Sequence, residues 1–332
     1  KKPIIMAEIY VDQTAPIKTK IFYGGDIIDA DGNVTATVYD ITNDPALSPL
    51  VSSTVAVHTA TAVKSEVDAG TYEIILPLSL VRRNKKFKIQ WSYQISAVSG
   101  SHFSYIDVVT PYASMFDIID DLGYGTDPGD ANSKTYHQLQ MAEKWARKII
   151  ENYTGQTFYL YDDVHIVYGD GADSLRLPFK INSLHELYEN DVLVLDNIND
   201  VNNWIYDTQI SESGFGVRVN RANMLDNTVY SANGMVPPPY NDTFGGAFKR
   251  DSVYKVQGRY GWDFIPDEVE EATIHLIKDY FSKDRAWRNK YVQNVQSFDW
   301  KFEYSSESYR GTGNVYVDQI LLPYVITQMV VI

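Results

Sequence analysis

Apolar and polar residues alternate without a break from Lys86 to Ile95: Phe87, Ile89, Trp91, Tyr93 and Ile95 against Lys86, Lys88, Gln90, Ser92 and Gln94. Alternation sustained this far predicts a half-buried strand. Shorter strand-like runs fall at residues 4–11, 19–23, 35–41, 53–63, 71–76 and 103–109. Turn residues separate most of them, at Asp31-Gly32, Asn43-Asp44-Pro45, Ala69-Gly70 and Ser99-Gly100. About seven short strands before Thr110-Pro111 suggest an all-β, immunoglobulin-like sandwich over residues 1–110. The cysteine pair of true immunoglobulin domains is missing.

Beyond residue 111 the period changes. A short helix is expected over 115–122, then a flexible loop over 123–133, with Asn132 or Ser133 capping a longer helix at about 134–153. Met141, Trp145, Ile149 and Tyr153 recur at helical spacing, with Ala142, Ala146 and Ile150 beside them. Glu143, Lys144, Arg147 and Lys148 read as the solvent face. Thr154-Gly155 stops the helix, Gly being a common helix end. Residues 158–260 return to strands and hairpins, interrupted by a long insertion at 221–250 that carries Pro237-Pro238-Pro239 and Gly245-Gly246. An alternating strand then sets Tyr254, Val256, Gly258 and Tyr260 against Val253, Lys255, Gln257 and Arg259. A Gly261-Trp262 turn leads to a helix at about 266–283. Pro266 opens it, and Asp267, Glu268, Glu270 and Glu271 complement the positive end of its dipole. The fold class is therefore α+β, with a sandwich at 1–110 and a second domain at 111–332.

Composition narrows the functional classes. The chain has 332 residues and a formal net charge of −14, which argues against general duplex binding through phosphate neutralisation. It holds 25 Tyr against 13 Phe and 6 Trp, a balance suited both to half-buried strands and to subunit interfaces. It has no cysteine, so disulfides, thiolate metal sites and Cys nucleophiles are excluded. No segment reaches the roughly 20 apolar residues of a membrane helix. The opening KKPIIMAEIY does not read as a signal peptide.

Chemical motifs are sparse. The six histidines are scattered and no His-Glu-x-x-His occurs. Asp29-Ala-Asp31-Gly32-Asn33, with Asp40 further on, distantly matches a calcium loop, but its Gly is misplaced and a hairpin turn is the plainer reading. Asp170-Gly171-Ala-Asp173 reads as a turn for the same reason. There is no phosphate loop and no Gly-x-Ser-x-Gly elbow. The expectation is a chain that is not an enzyme and has no metal or cofactor. One basic cluster stands out: Lys278, Lys283, Arg285, Arg288 and Lys290, with Trp287 and Tyr291 interleaved. It suits a helix C-terminus or a contact with an acidic neighbouring subunit, and also nucleic acid.

The order of four segments resembles the head–tail connector (adaptor, or head-completion) proteins of tailed bacteriophages. They are Tyr153-Thr154-Gly155-Gln156-Thr157-Phe158 after a helix, Leu175-Arg176-Leu177-Pro178, the strand–Gly–Pro–helix run from Gly258 to Asp284-Arg285, and Leu321-Leu322-Pro323-Tyr324. The resemblance covers residues 112–324. The N-terminal sandwich and the 221–250 insertion lie outside the family's minimal pattern, and the tail lacks a spacer before Pro323. The resemblance implies a small helical bundle with a β element, assembled as a dodecameric ring between the portal protein and the tail or next neck protein. DNA would pass through the lumen without specific binding, and no membrane would be involved.

The expected bundle core is Trp145, Ile149, Val269, Leu276 and Tyr280. The tail over 318–332 carries Ile320, Leu321, Leu322, Tyr324, Val325, Ile326, Met329, Val330, Val331 and Ile332, and is read as a partner-docking segment that leaves its own subunit. An edge strand packed on its own domain is the competing reading of the tail. The competing reading of the whole chain is an extracellular protein that binds carbohydrate or a cell surface, which explains the aromatic content and the sandwich but not the order of the segments.

Overall fold

A computed structural model describes residues 7–42, 55–127, 133–172, 174–197, 206–211, 213–221, 248–282, 294–297, 300–303 and 311–326. The chain is a strand-rich α+β protein. It divides into two compact units, Lys1–Thr110 with Tyr161–Tyr260, and Pro111–Leu160 with Gly261–Ile332. The sequence predicts one boundary, at 110; the compact units divide the chain again at 160 and 260.

The first unit opens with β1 (Ala7–Tyr10), β2 (Pro16–Lys20), the short pair β3 (Phe22–Tyr23) and β4 (Asp26–Ile27), β5 (Thr35–Asp40), β6 (Ala56–Thr61), β7 (Val63–Lys64), β8 (Thr71–Ile75), β9 (Lys85–Ile95) and β10 (Val98–Val109). Five of these form a sheet in the order β1-β10-β9-β5-β6, and three form another in the order β2-β8-β7. β1 runs parallel to β10; the other pairs are antiparallel. Both sheets feed one core. Val38, Phe87, Ile89, Trp91 and Ile106 come from the larger sheet, and Ile17, Tyr72 and Ile74 from the smaller. The alternation at 86–95 is thus a strand with one apolar face on that core, as its period requires.

The hairpin after β9 differs from expectation. Its turn is Ser96-Ala97, both at positive φ (51° and 65°), not Ser99-Gly100. Two such residues match the right-handed strand twist in a two-residue turn. Gly100 sits inside β10, opposite Tyr93. A Cβ there would stand 2.7 Å from Tyr93 Cε2, so the glycine makes room for a ring and not for a turn.

The rest of this unit comprises β11 (Tyr161–Tyr168), β12 (Ser174–Arg176), β13 (Ile181–Glu189), β14 (Val192–Asp196), β15 (Tyr206–Ile210), β16 (Gly216–Arg221) and β17 (Val253–Tyr260). They make an antiparallel four-stranded sheet, β11-β17-β13-β14, and a three-stranded one, β12-β16-β15. Tyr254, Val256 and Tyr260 alternate into a core with Leu184, Leu187 and Leu195. The turn after β13 is Asn190-Asp191, both left-handed, where the sequence predicts a hairpin. Most of the 221–250 insertion lies outside the described residues; Phe248 at its end is buried in this core.

The second unit carries four α-helices among the described residues: α1 (Met115–Leu122), α2 (Tyr136–Thr154), α3 (Asp267–Phe281) and α4 (Val315–Leu321). A hairpin, β18 (Asn294–Ser297) and β19 (Trp300–Glu303), stands between α3 and α4 in the sequence; the alternation Trp300-Lys301-Phe302-Glu303 is its sign, too short to stand out. α2 starts at a Thr135 cap, not at Asn132 or Ser133. Thr135 Oγ1 accepts from Gln138 N at 3.2 Å, and Gln138 Oε1 accepts from Thr135 N at 3.0 Å. Reciprocal capping of this kind satisfies two backbone donors, which a lone Asn or Ser does not. Gly155 ends the helix at φ 71°.

Candidate functional site

Of the four segments that carry the phage resemblance, the helical unit holds Tyr153–Phe158 and Leu321–Tyr324 and, from Gly261 onward, the described part of the third. Inside it, α2 buries Leu139, Ala142, Ala146 and Ile150; α3 buries Val269, Ala272, Leu276 and Ile277; α4 adds Val317 and Leu321. The small side chains of Ala142, Ala146 and Ala272 leave room for close helix packing. Of the expected bundle core, Val269 and Leu276 are fully buried and Ile149 packs against the cluster from its edge. Trp145 and Tyr280 require correction. They are 36% and 42% exposed, and their rings meet at 5.3 Å on the rim. The stripe through Trp145 is displaced by one residue from the buried stripe through Ala146, a rotation of about 100° on the helix.

That displacement puts charge inside. Glu143 and Arg147, expected to face solvent, are 0% and 3% exposed, and Arg147 Nε lies 3.2 Å from Glu143 Oε1. Glu143 Oε1 also accepts the backbone N–H of Tyr112 at 3.0 Å. The Tyr112 hydroxyl donates to Glu151 Oε1 at 2.9 Å and accepts from Phe158 N at 2.9 Å. Burial, with Glu151 next, pushes this phenol well above its ordinary pKa. Tyr112 therefore fastens the first residues of the unit along α2 and to the segment after it. The sequence does carry a signal, since Glu143 and Arg147 share the helix face of Leu139, Ala146 and Ile150 at spacings of three, four and seven residues.

The three segments converge. Gln156 donates to the carbonyl of Tyr324 and accepts from Trp262 Nε1 at 3.2 Å. Phe158 has its ring 5.7 Å from Trp262, 5.5 Å from Tyr324 and 5.8 Å from Tyr112. Ile326 N donates to Thr154 O at 2.9 Å. Gly261 has φ 97°, and a Cβ there would stand 2.0 Å from Tyr159 O, so only glycine makes the turn that delivers Trp262. The Thr-Gly exit of α2, the Gly-Trp turn before α3 and the Leu-Pro-Tyr run after α4 are thus one aromatic junction. The fourth segment, Leu175 to Pro178, belongs to the first unit.

The tail departs from its expected docking role over its described part. Ile320 and Tyr324 pack against the helical core, Leu321 is fully buried, and Val325 and Ile326 are half-buried. Asp318 Oδ1 accepts from Thr312 N and Oγ1, both at 2.7 Å, and Tyr324 donates to Glu268 Oε2 at 2.9 Å. Burial and then Glu268 push the Tyr324 phenol up to about 12. Leu322, 66% exposed, faces out. Amphipathic α4 satisfies these apolar residues at home. Met329, Val330, Val331 and Ile332 lie outside the described residues.

Two surface features complete the unit. An aromatic string runs Trp145–Tyr280–Phe281–Tyr124, with ring separations of 5.3, 5.1 and 5.2 Å. Lys134 Nζ lies over Tyr124 and Phe281, and Met141 is exposed on the same helix as Trp145. Elsewhere Asp117, Asp121, Asp267, Glu270, Glu271 and His275 border an acidic groove of about 460 Å³. Burial, and then Asp117, raise the Glu270 carboxyl above its ordinary range. Of the basic cluster, Lys278 is exposed on α3; Lys283, Arg285, Arg288 and Lys290 lie outside the described residues.

In the first unit the acids of the calcium-like segment have other partners. Asp29 binds Lys64 Nζ and Gly70 N, both at 2.7 Å; Asp31 binds Ser96 N; Asp40 binds Lys85 Nζ at 2.6 Å. Asp40 lies within β5, which holds it apart from the turn. Among the described residues no group of three or more His, Asp or Glu is placed to hold a metal ion, and no helix is long and apolar enough to cross a membrane. Comparison with protein-family models and with curated proteins gives no match.

Proposed function

We propose that this chain is a head–tail connector of a tailed bacteriophage, a structural ring component and not an enzyme. The observation that carries the reading is the aromatic junction. The Thr-Gly exit, the Gly-Trp turn and the Leu-Pro-Tyr run are far apart in sequence, yet Gln156, Phe158, Trp262 and Tyr324 interlock. A resemblance read from the order of segments gains weight when those segments build one packed feature. The proposed assembly is a dodecameric ring between portal and tail, through whose lumen DNA passes. The net charge of −14 suits a channel wall that DNA slides along without adhering. The exposed string Met141, Trp145 and Tyr280 supplies apolar area for a neighbouring copy.

We also read the two sheets that share a core within residues 7–110 as an immunoglobulin-like domain added to the connector. Docking to the portal or the next neck protein is assigned to residues 327–332 together with the exposed Leu322. Gold-labelled antibody against the chain, applied to intact virions, is expected to mark the neck between head and tail. Labelling of fibres only, or of free protein and no virion, overturns the connector reading.

A further inference from the structure

In the helical unit α2 and α3 pack on each other, and their outer sides point apart. α2 buries Leu139, Ala142, Ala146 and Ile150; at about 100° per residue, Met141 and Lys148 fall on its far side. α3 buries Val269, Ala272, Leu276 and Ile277, which sets Glu271 on its far side. The unit therefore presents two separate faces, one outside each helix.

The faces carry opposite charge. Outside α2, Met141 and Trp145 are exposed, with the Tyr280 ring against Trp145. His137 and Lys148 are exposed beside them, and Lys144 is half-buried. The acids of α2, Glu143 and Glu151, are held within the unit, by Arg147 and by the Tyr112 hydroxyl. This side is aromatic and basic, in a chain whose 43 acidic residues outnumber its 29 basic ones. Outside α3 the reverse holds. Asp117 and Asp121 of α1 and Asp267, Glu270 and Glu271 of α3 border the groove of about 460 Å³, with Ile274 among them. The basic member of that lining, His275, lies 3.8 Å from Glu271. Burial, and then Asp117, Asp267 and Asp121, hold the Glu270 carboxyl above its ordinary range, so negative charge is crowded there.

One unit thus holds both halves of a contact. Were each face to meet its own kind, as in a two-fold dimer, acid would stand on acid and lysine on lysine; unlike faces cancel that repulsion. The aromatic residues add the apolar centre of a specific interface, and the charges its rim. Unlike faces on one molecule also generate a head-to-tail chain, which closes as a ring when the rotation permits. We propose that the α2 face of one copy docks on the acidic groove of the next, with Trp145 and Met141 at its centre and Lys148 set among the carboxylates of Asp121, Glu270 and Glu271. This contact belongs to the ring proposed above and rests on that reading.

Because the chain has no cysteine, introduced thiols report the contact directly. Lys148→Cys and Asp121→Cys lie at exposed positions, one on each face. A bismaleimide crosslinker is applied to the full chain at high protein concentration and low ionic strength. The double variant is expected to give a ladder of dimers, trimers and larger species, and an equal mixture of the single variants to give dimers, while each single variant alone stays monomeric. About 1 M salt is expected to remove the ladder. By light scattering, Lys148→Glu is expected to weaken self-association roughly fivefold and Lys148→Glu/Asp121→Lys to restore it, with the melting temperature unaltered. The contact is overturned by no crosslinking, by crosslinked dimers from a single variant alone, or by a double reversal as weak as the single one. Open filaments in place of closed rings would support the contact and remove the ring, so the two readings fail separately.

Discussion

Arg147 keeps its guanidinium in a site 3% exposed because Glu143 Oε1 is 3.2 Å away. Removing one member of such a pair strands the other, so Arg147→Ala is expected to cost roughly 3–5 kcal/mol in chemical denaturation. The double variant Glu143→Gln/Arg147→Met is expected to recover most of that loss, since the amide oxygen it places at position 143 still accepts from Tyr112 N. A single variant as stable as wild type would contradict the buried pair. Trp145 and Leu276 differ in the same terms. Leu276→Ala empties a fully buried position and is expected to cost about 2–5 kcal/mol. Trp145→Ala, on the rim, is expected to cost less than half as much, and an equal loss would return Trp145 to the core. The residue-level differences between sequence and structure share one cause. A stripe of large side chains repeating every four residues draws the eye to Trp145 and Tyr153 on the rim, while the small alanines beside it mark the actual helix contact.

At the scale of elements, α4 and the turn after it tie the helical unit together through Leu321, Asp318 and Tyr324. Truncation before Asp318 is therefore expected to unfold that unit, while truncation after Ile326 is expected to leave the melting temperature unchanged. Stable folding without Asp318 onward would refute the packing of this tail. The groove between acidic positions on α1 and α3 gives a pH dependence. The Glu270 carboxyl is raised in the folded state, so its neutral form is favoured there, and its contribution is present at low pH and lost as pH rises through the folded pKa. Glu270→Gln is expected to raise the melting temperature at pH 7 and to lose that advantage as the pH falls toward 4. A constant difference across that range would remove Glu270 as the cause. Strands β9 and β17 are legible in the sequence because their alternation is long and unbroken, and α3 because Pro266 and its acids mark a start. The beginning of β10 is not, since Gly100 accommodates a ring across the strand and gives no local sign of it. The tail is ambiguous in the sequence because apolar content alone does not say which surface will cover it.

For the whole molecule, the change of period near residue 111 is visible in the sequence. The return of residues 261–332 to the unit begun by 111–160 is not, because pairing between distant segments leaves no local periodicity. The order of the resembling segments is the only sequence sign that they belong together, and the junction at Phe158 gives that order a physical meaning. What the exposed Met141, Trp145 and Tyr280 cover is an assembly question. The most direct measurement is native mass spectrometry and electron microscopy of the purified chain, alone and mixed with the portal protein of the phage proposed as its source. The expected result is a closed ring of about twelve copies on the portal, broken by Trp145→Asp, whether or not the free chain is a monomer. A chain that stays monomeric both alone and with the portal would contradict the connector assignment.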